Sequence, residues 1–210
     1  TMSTRAGGSI AFNDSYRKYQ WSLNNLGSNS EVWDAGIADN LPSVVSGADI
    51  NVIPAWRLCK GDPSIIVAVL DEGVMYSHED LAANMWTNSN EIDGDGIDND
   101  HNGYEDDIHG FNFNDDNSEI WFDDHGTHVA GTIAAVNNNS EGVAGVAGGT
   151  GKGDGCRIMT CQIFQNGKST SVDKIAAAIK YAADNGAAII NNSWAYSKGV
   201  YTSDKVFNNN

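Results

Sequence analysis

No stretch of this 210-residue chain approaches the roughly 18 consecutive apolar residues that a membrane helix needs, although 40% of its residues are hydrophobic. No membrane span is therefore expected. Thr1–Gly8 is polar and reads as no signal peptide; if the protein is exported, its leader is expected to be absent from this sequence. Positive charge is also scarce. Twelve Lys and Arg face 28 Asp and Glu, a formal net charge of −16, and such a surface repels phosphate backbones and anionic lipid. Nucleic acid is thus not an expected partner. Cysteine is limited to Cys59, Cys156 and Cys161, too few for a disulfide framework and without metal-type C-x-x-C spacing. Cys156 and Cys161 fall near one predicted strand at positions that face opposite ways, so all three are expected to be buried structural thiols.

What is present reads as alternating strands and helices. Ile65–Leu70 is a continuous apolar run bounded by turn residues, the pattern of a strand buried on both faces. Arg157–Phe164 and Ala187–Asn191 read as two more strands. Gly126–Val136, rich in small and apolar residues, permits a closely packed helix. Ser171–Asn185 predicts a second helix, with Ser171 as N-cap, an Ile175/Ile179/Ala182 face and Gly186 as terminator. A short helix is expected after Asn51, with Pro54 early in it. Residues 1–50 read as an extended arm, and 84–124 as a loop dominated by Asp, Asn and Gly. The order strand–helix–strand–helix–strand implies an α/β layered fold with a parallel sheet.

Two positions stand out chemically. Asp71 follows the first strand directly, and functional groups gather at the carboxyl ends of parallel strands. His125 opens the run DHGTHVAGTIAA where a helix should begin. The positive end of that helix is expected to disfavour imidazolium and keep the ring neutral as a base. His125 and His128 lie three apart with no intervening Glu, which does not match the H-E-x-x-H zinc signature. A metallohydrolase using His78, His101, His109, His125 or His128 fits no ligand template.

HGTHVAG at His125–Gly131, preceded by a strand ending in Asp71-x-Gly73, resembles the subtilisin-like serine proteases. YQWSLNNLG (Tyr19–Gly27), GADINVIPAW (Gly47–Trp56), EGVAGVAG (Glu141–Gly148) and the Arg157–Asn192 block are also similar to that family. The resemblance implies a three-layer αβα domain with a mainly parallel sheet, incomplete at its C-terminal side. It also implies peptide-bond hydrolysis through an acyl-enzyme. His125 would act as general base and acid, and Asp71 would orient it. Glu72 departs from the family pattern, which usually has Ser or Thr there. The polypeptide substrate would lie between two extended segments. Gly167 and Lys168 represent one, and Ser193, Trp194 and Ala195 the other; Ala195 and Tyr196 stand where the family often has two glycines. No Gly-Thr-Ser-Met-Ala-like segment occurs in residues 1–210, so the nucleophilic Ser is expected beyond this sequence, as a continuation or as a companion C-terminal segment. Export, to the medium, cell surface or periplasm, is likewise implied only by the resemblance.

Between the two motifs lies DGDGIDNDHNGYEDD (Asp93–Asp107). Asp98-x-Asp100-x-Asn102-Gly103 resembles the start of a calcium loop, with Gly at the sharp turn, but His109 occupies the twelfth position and excludes an EF-hand. The expected site is one structural calcium ion on Asp98, Asp100, Asn102, the Tyr104 carbonyl and Asp107 or Asp106. The domain reading is an N-terminal arm over 1–46 and a partial catalytic domain over 47–210, with the acidic insertion at about 88–120. The rival to an endopeptidase is a non-catalytic, calcium-dependent peptide-binding module.

Overall fold

The computed structural model describes residues 12–27 and 45–195. Its centre is a parallel sheet of β1 (Ile66–Asp71), β2 (Gly110–Asn112), β3 (Arg157–Gln162) and β6 (Ala187–Asn192), in the order β2-β3-β1-β6. Helix α1 (Val52–Trp56) precedes β1, α2 (Asp124–Ala134) lies between β2 and β3, and α3 (Val172–Asp184) leads into β6. A two-stranded antiparallel hairpin, β4 (Phe164–Gln165) and β5 (Lys168–Ser169), follows β3.

The apolar run of β1 explains the layering. Val67 and Val69 point into one core with Ala130 and Ala134 of α2 and Ile158 of β3. Ala68 and Leu70 point into the other with Met159, Cys161 and, from α3, Ile175, Ala178, Tyr181 and Ala182. Alternation along the strand thus feeds two helical layers, one on each face. Cys156 and Cys161 fall in opposite cores, as their spacing implies. Burial pushes the Cys161 thiol well above its ordinary range. Cys59 corrects the expectation for all three, because it is exposed.

Other boundaries moved for local reasons. Strand β1 runs one residue further than the apolar run, to Asp71, because it pairs with Gln162 there. The predicted strand 157–164 stops at Gln162 and re-forms as the β4–β5 hairpin, turned by Asn166 (φ 52°) and Gly167 (φ 70°). Strand β2 lies where the sequence predicts loop; three residues give no period, and the strand exists by pairing with β3. In α3, Ser171 sits at the N-cap without a capping bond; its side chain bonds Asp173 instead and holds that carboxyl below the usual range. Ile179 is exposed, and Ala178 and Tyr181 complete the buried face.

The N-terminal arm is tied to the loop after α2. Trp56 is buried with Leu23, Val52 and Ala144, and its indole Nε1 donates to the Val146 carbonyl at 2.7 Å. Asp14 and Asp80 are buried against the same loop. Asp14 accepts from the Asn138 N–H, and Asp80 accepts from Asn139 and the Val143 N–H. Burial raises both carboxyls above their ordinary range. Among the described residues, no helix is long and apolar enough to cross a membrane.

Candidate active site and acidic loop

Asp71 is the last residue of β1, and its carbonyl accepts from the Ile163 N–H at 2.9 Å. The chain then turns at Gly73 (φ 87°), where a side chain would meet the Trp121 carbonyl oxygen at 1.9 Å. A Cβ on Gly126, in the first turn of α2, would lie 2.1 Å from the Gly73 carbonyl oxygen and 3.4 Å from the Asp71 Cβ. These two glycines let the helix start press onto the strand end. The consequence is a hydrogen bond of 2.7 Å between His125 Nδ1 and Asp71 Oδ1. Asp71 is 1% exposed, whereas the His125 side chain is 52% exposed. One residue is sealed and the other faces outward.

Asp71 Oδ1 also accepts from the Glu72 N–H at 2.8 Å, and Oδ2 is buried without a hydrogen-bond partner. With Nδ1–H donated to the carboxylate, Nε2 is left as the acceptor facing solvent. The expected effect of the helix end on His125 is overturned. The Asp71 hydrogen bond and charge, with Glu72 and Asp124 adding to them, raise the imidazole above its ordinary range, against a smaller effect of burial. A negative oxygen in contact outweighs a partial positive charge spread over a helix end.

Sequence reasoning missed Gln162. Fully buried opposite Asp71, it accepts from the Trp121 N–H at 2.8 Å and donates to the Phe164 carbonyl at 3.2 Å. It ties the segment entering α2 to the sheet. The available signal was a polar side chain at the end of an otherwise apolar strand.

The two proposed substrate segments leave the strands on either side of β1. Gly167 and Lys168 lie at the exposed turn of the β4–β5 hairpin beyond β3, and Ser193, Trp194 and Ala195 follow β6. Asp71 therefore ends the strand between them. Ser193 accepts from Asn191, Ala195 is exposed, and the Trp194 ring packs edge-on against Phe164 with centroids 5.7 Å apart. Tyr196 lies outside the described residues. The histidines do not converge. His78 accepts from the Asp80 N–H, His109 stacks on Tyr76, and His101 and His128 are exposed.

In the acidic loop the structure gathers a different set from the expected one. Carboxylate oxygens of Glu91, Asp100 and Asp107 lie within 4.8 Å of one another. Asn102 stands with them, donating to Asp100 Oδ2 and Asp107 Oδ2 at 3.2 and 3.1 Å. Asn88 donates to both carboxylates, and the Tyr181 hydroxyl donates to Asp107 at 2.5 Å. Asp98 instead closes a local turn by accepting from the Asn102 and Gly103 N–H groups. Asp106 accepts from the Asp95 and Gly96 N–H groups. The Tyr104 ring packs against Phe111, Phe113 and Tyr181. Glu91 was missed because it lies outside the alternating motif. Its Oε1 accepts from the Asn99 and Asp100 N–H groups and its Oε2 from the Asp106 N–H. Burial pushes the Asp107 carboxyl up, and the ion pairs found among the described residues lie elsewhere. A hard, all-oxygen cluster with two buried carboxylates fits a hard divalent cation.

A parallel strand ending in an Asp that grips a His on a later helix sets an acid-oriented imidazole at the carboxyl end of the sheet. The model of the subtilase family matches residues 62–209. The chain belongs to that family, and its fold is subtilisin-like. Subtilisin-like protease 1 of Plasmodium berghei is 32% identical over 189 residues, covering 89% of this chain and 27% of the relative. The halolysin-like extracellular serine protease Nep of Natrialba magadii is 33% identical over 148 residues, 69% of this chain and 23% of its own length. Among solved structures, the Aeromonas sobria serine protease bound to its chaperone superposes with a TM-score of 0.63 at 21% identity, covering 90% of this chain and 27% of that one. A protease from Pseudoalteromonas arctica gives 0.55 at 26% identity, covering 89% and 52%. The chain spans about a quarter of the length of these curated relatives.

Proposed function

We propose that this chain supplies the Asp–His part of an exported serine endopeptidase, with the nucleophilic serine contributed by residues outside 1–210. The observation that carries this reading is the 2.7 Å bond between sealed Asp71 and outward-facing His125. In this mechanism Asp71 holds Nδ1–H, which fixes the tautomer and points Nε2 at the serine hydroxyl. His125 takes the hydroxyl proton as the serine attacks the peptide carbonyl, then returns it to the leaving amine. Asp71 stabilises the imidazolium in between, and the upward shift of the imidazole is the same interaction seen at rest. Gly167–Lys168 and Ser193–Ala195 would pair with extended peptide on either side of the β1 end.

Calcium is the proposed structural ion, held by Glu91, Asp100 and Asp107 with Asn102 beside them, and it would offset the repulsion of clustered carboxylates. Export is part of the same proposal and is supported by a relative described as extracellular. The test is hydrolysis of casein and of fluorogenic peptides by the purified protein with the serine-bearing segment present, with fluorophosphonate labelling to detect the serine; residues 1–210 alone should do neither. The wild type should cleave and label; His125→Ala should lose cleavage by several orders of magnitude. Calcium-dependent peptide binding without cleavage or labelling would replace this reading with a non-catalytic binding module.

A further inference from the structure

Glu72 is the residue that the Asp–His mechanism leaves without a role. It stands directly after Asp71, is half-buried, and replaces the Ser or Thr usual at that place. Its N–H donates to Asp71 Oδ1, the oxygen that His125 also binds. Its side chain adds a second contribution, because a Glu72 carboxylate oxygen lies within 4.8 Å of both a ring nitrogen of His125 and a carboxylate oxygen of Asp71. The charge is therefore placed beside the dyad and not merely in its neighbourhood.

We propose that Glu72 is a positioning residue whose carboxylate acts through His125, stabilising the protonated ring beyond what Asp71 alone provides. The inference rests on the proposed proteolytic reading for its catalytic consequence, although not for its physical content. The charged groups that act on the ring are Asp71 and Glu72 from the end of β1 and Asp124 from the start of its own helix. All are acidic. The group facing Asp71 from β3 is Gln162, which is neutral. Glu72 thus works in one direction with its neighbours, and no cation among these groups cancels it. The raised imidazole of His125 has Glu72 among its causes, behind Asp71.

In the catalytic cycle such a charge favours proton uptake from the nucleophile and delays the return to the neutral base. The enzyme gains a more basic His125 and needs a higher pH to deprotonate it at rest. A Ser or Thr at this position would supply no such field. The effect is electrostatic and partly solvent-exposed, so salt must weaken it: at about 1 M the Debye length falls to about 3 Å.

The experiment compares wild type, Glu72→Gln and Glu72→Asp at low salt in the purified protein with the serine-bearing segment present. Histidine ring resonances are titrated by NMR, and kcat/KM is measured against pH. Glu72→Gln should move the His125 midpoint and the acid limb of kcat/KM to lower pH together. One pH unit below the wild-type midpoint it should be about two- to threefold more active relative to its own plateau. Glu72→Asp should retain a midpoint nearer the wild type, and 1 M salt should shrink the differences. An unchanged His125 midpoint in Glu72→Gln at low salt overturns the proposal, as does an equal shift at high salt. Because the NMR titration needs no turnover, a shifted midpoint in a protein that cleaves nothing would defeat the proteolytic reading and leave the Glu72–His125 coupling standing.

Discussion

Asp71 and Asp107 are both sealed from solvent, at 1% and 0% exposure, yet they are handled in opposite ways. Asp71 shares its charge with a titratable ring at 2.7 Å that opens to solvent. Asp107 is ringed by neutral donors, Asn88, Asn102 and Tyr181, with acidic Asp100 and Glu91 close by. Burying a carboxylate is costly unless it is hydrogen-bonded or paired. At the end of β1 the pairing joins the carboxylate to an imidazole whose other face opens to solvent. In the loop, amide and hydroxyl dipoles satisfy the oxygens but leave the net charge in place, which is the arrangement a cation completes.

The comparison breaks most severely at Gly126. An alanine there puts a methyl group 2.1 Å from the Gly73 carbonyl oxygen, and this contact is with backbone, which cannot turn aside. Gly126→Ala should cost about 1–3 kcal/mol of stability and push His125 away from Asp71. A displacement near 1 Å would lower kcat about a hundredfold. Thermal unfolding and steady-state kinetics of the variant check both, and wild-type values would show that the close approach is not needed.

The loop should respond to calcium where the dyad does not. Saturation at about a hundred times the dissociation constant adds about 2.7 kcal/mol, so chelation should lower Tm by about 5–10 °C for a domain of this size. Asp107→Asn and Glu91→Gln should each remove most of that difference. Calorimetric titration with calcium gives a direct reading; no binding heat and an unmoved Tm would remove the metal from the loop.

The smallest effect is the pH dependence of stability at the dyad. Folding raises the His125 pKa above its unfolded value near 6.5. The stabilisation from the charged pair is therefore complete below about pH 6.5 and is lost as pH rises through the folded value. Urea unfolding of wild type and Asp71→Asn from acid to alkaline pH should show a gap that narrows in that direction. Solvent screening of the half-exposed ring keeps it modest. A gap that widens with pH would contradict the assigned interaction.

Much of this was legible in the chain. The apolar run before Asp71 fixed a doubly buried strand, and HGTHVAG fixed the helix that carries His125, because strand burial and small-residue packing leave local periodic signals. Strand β2 and the β4–β5 hairpin were not legible, since elements of two or three residues exist only through their pairing. The calcium reading placed its ion in this loop, and of its proposed ligands the structure gathers Asp100 and Asp107, together with Glu91. It chose Asp98 over Glu91 because alternation in sequence describes an extended ligand loop, and this loop instead folds back on itself through Asx turns.

The sequence by itself determined which residues carry charge and which strands are buried, for those properties follow from side-chain chemistry and short-range periodicity. Only the tertiary structure decided that Gly73 and Gly126 would meet, that Gln162 would clamp the entry to α2, and that Asp71 would raise rather than spare the basicity of His125. Those outcomes depend on distances of a few ångströms between residues some fifty positions apart in the chain, and Coulomb and steric energies change most steeply over that range.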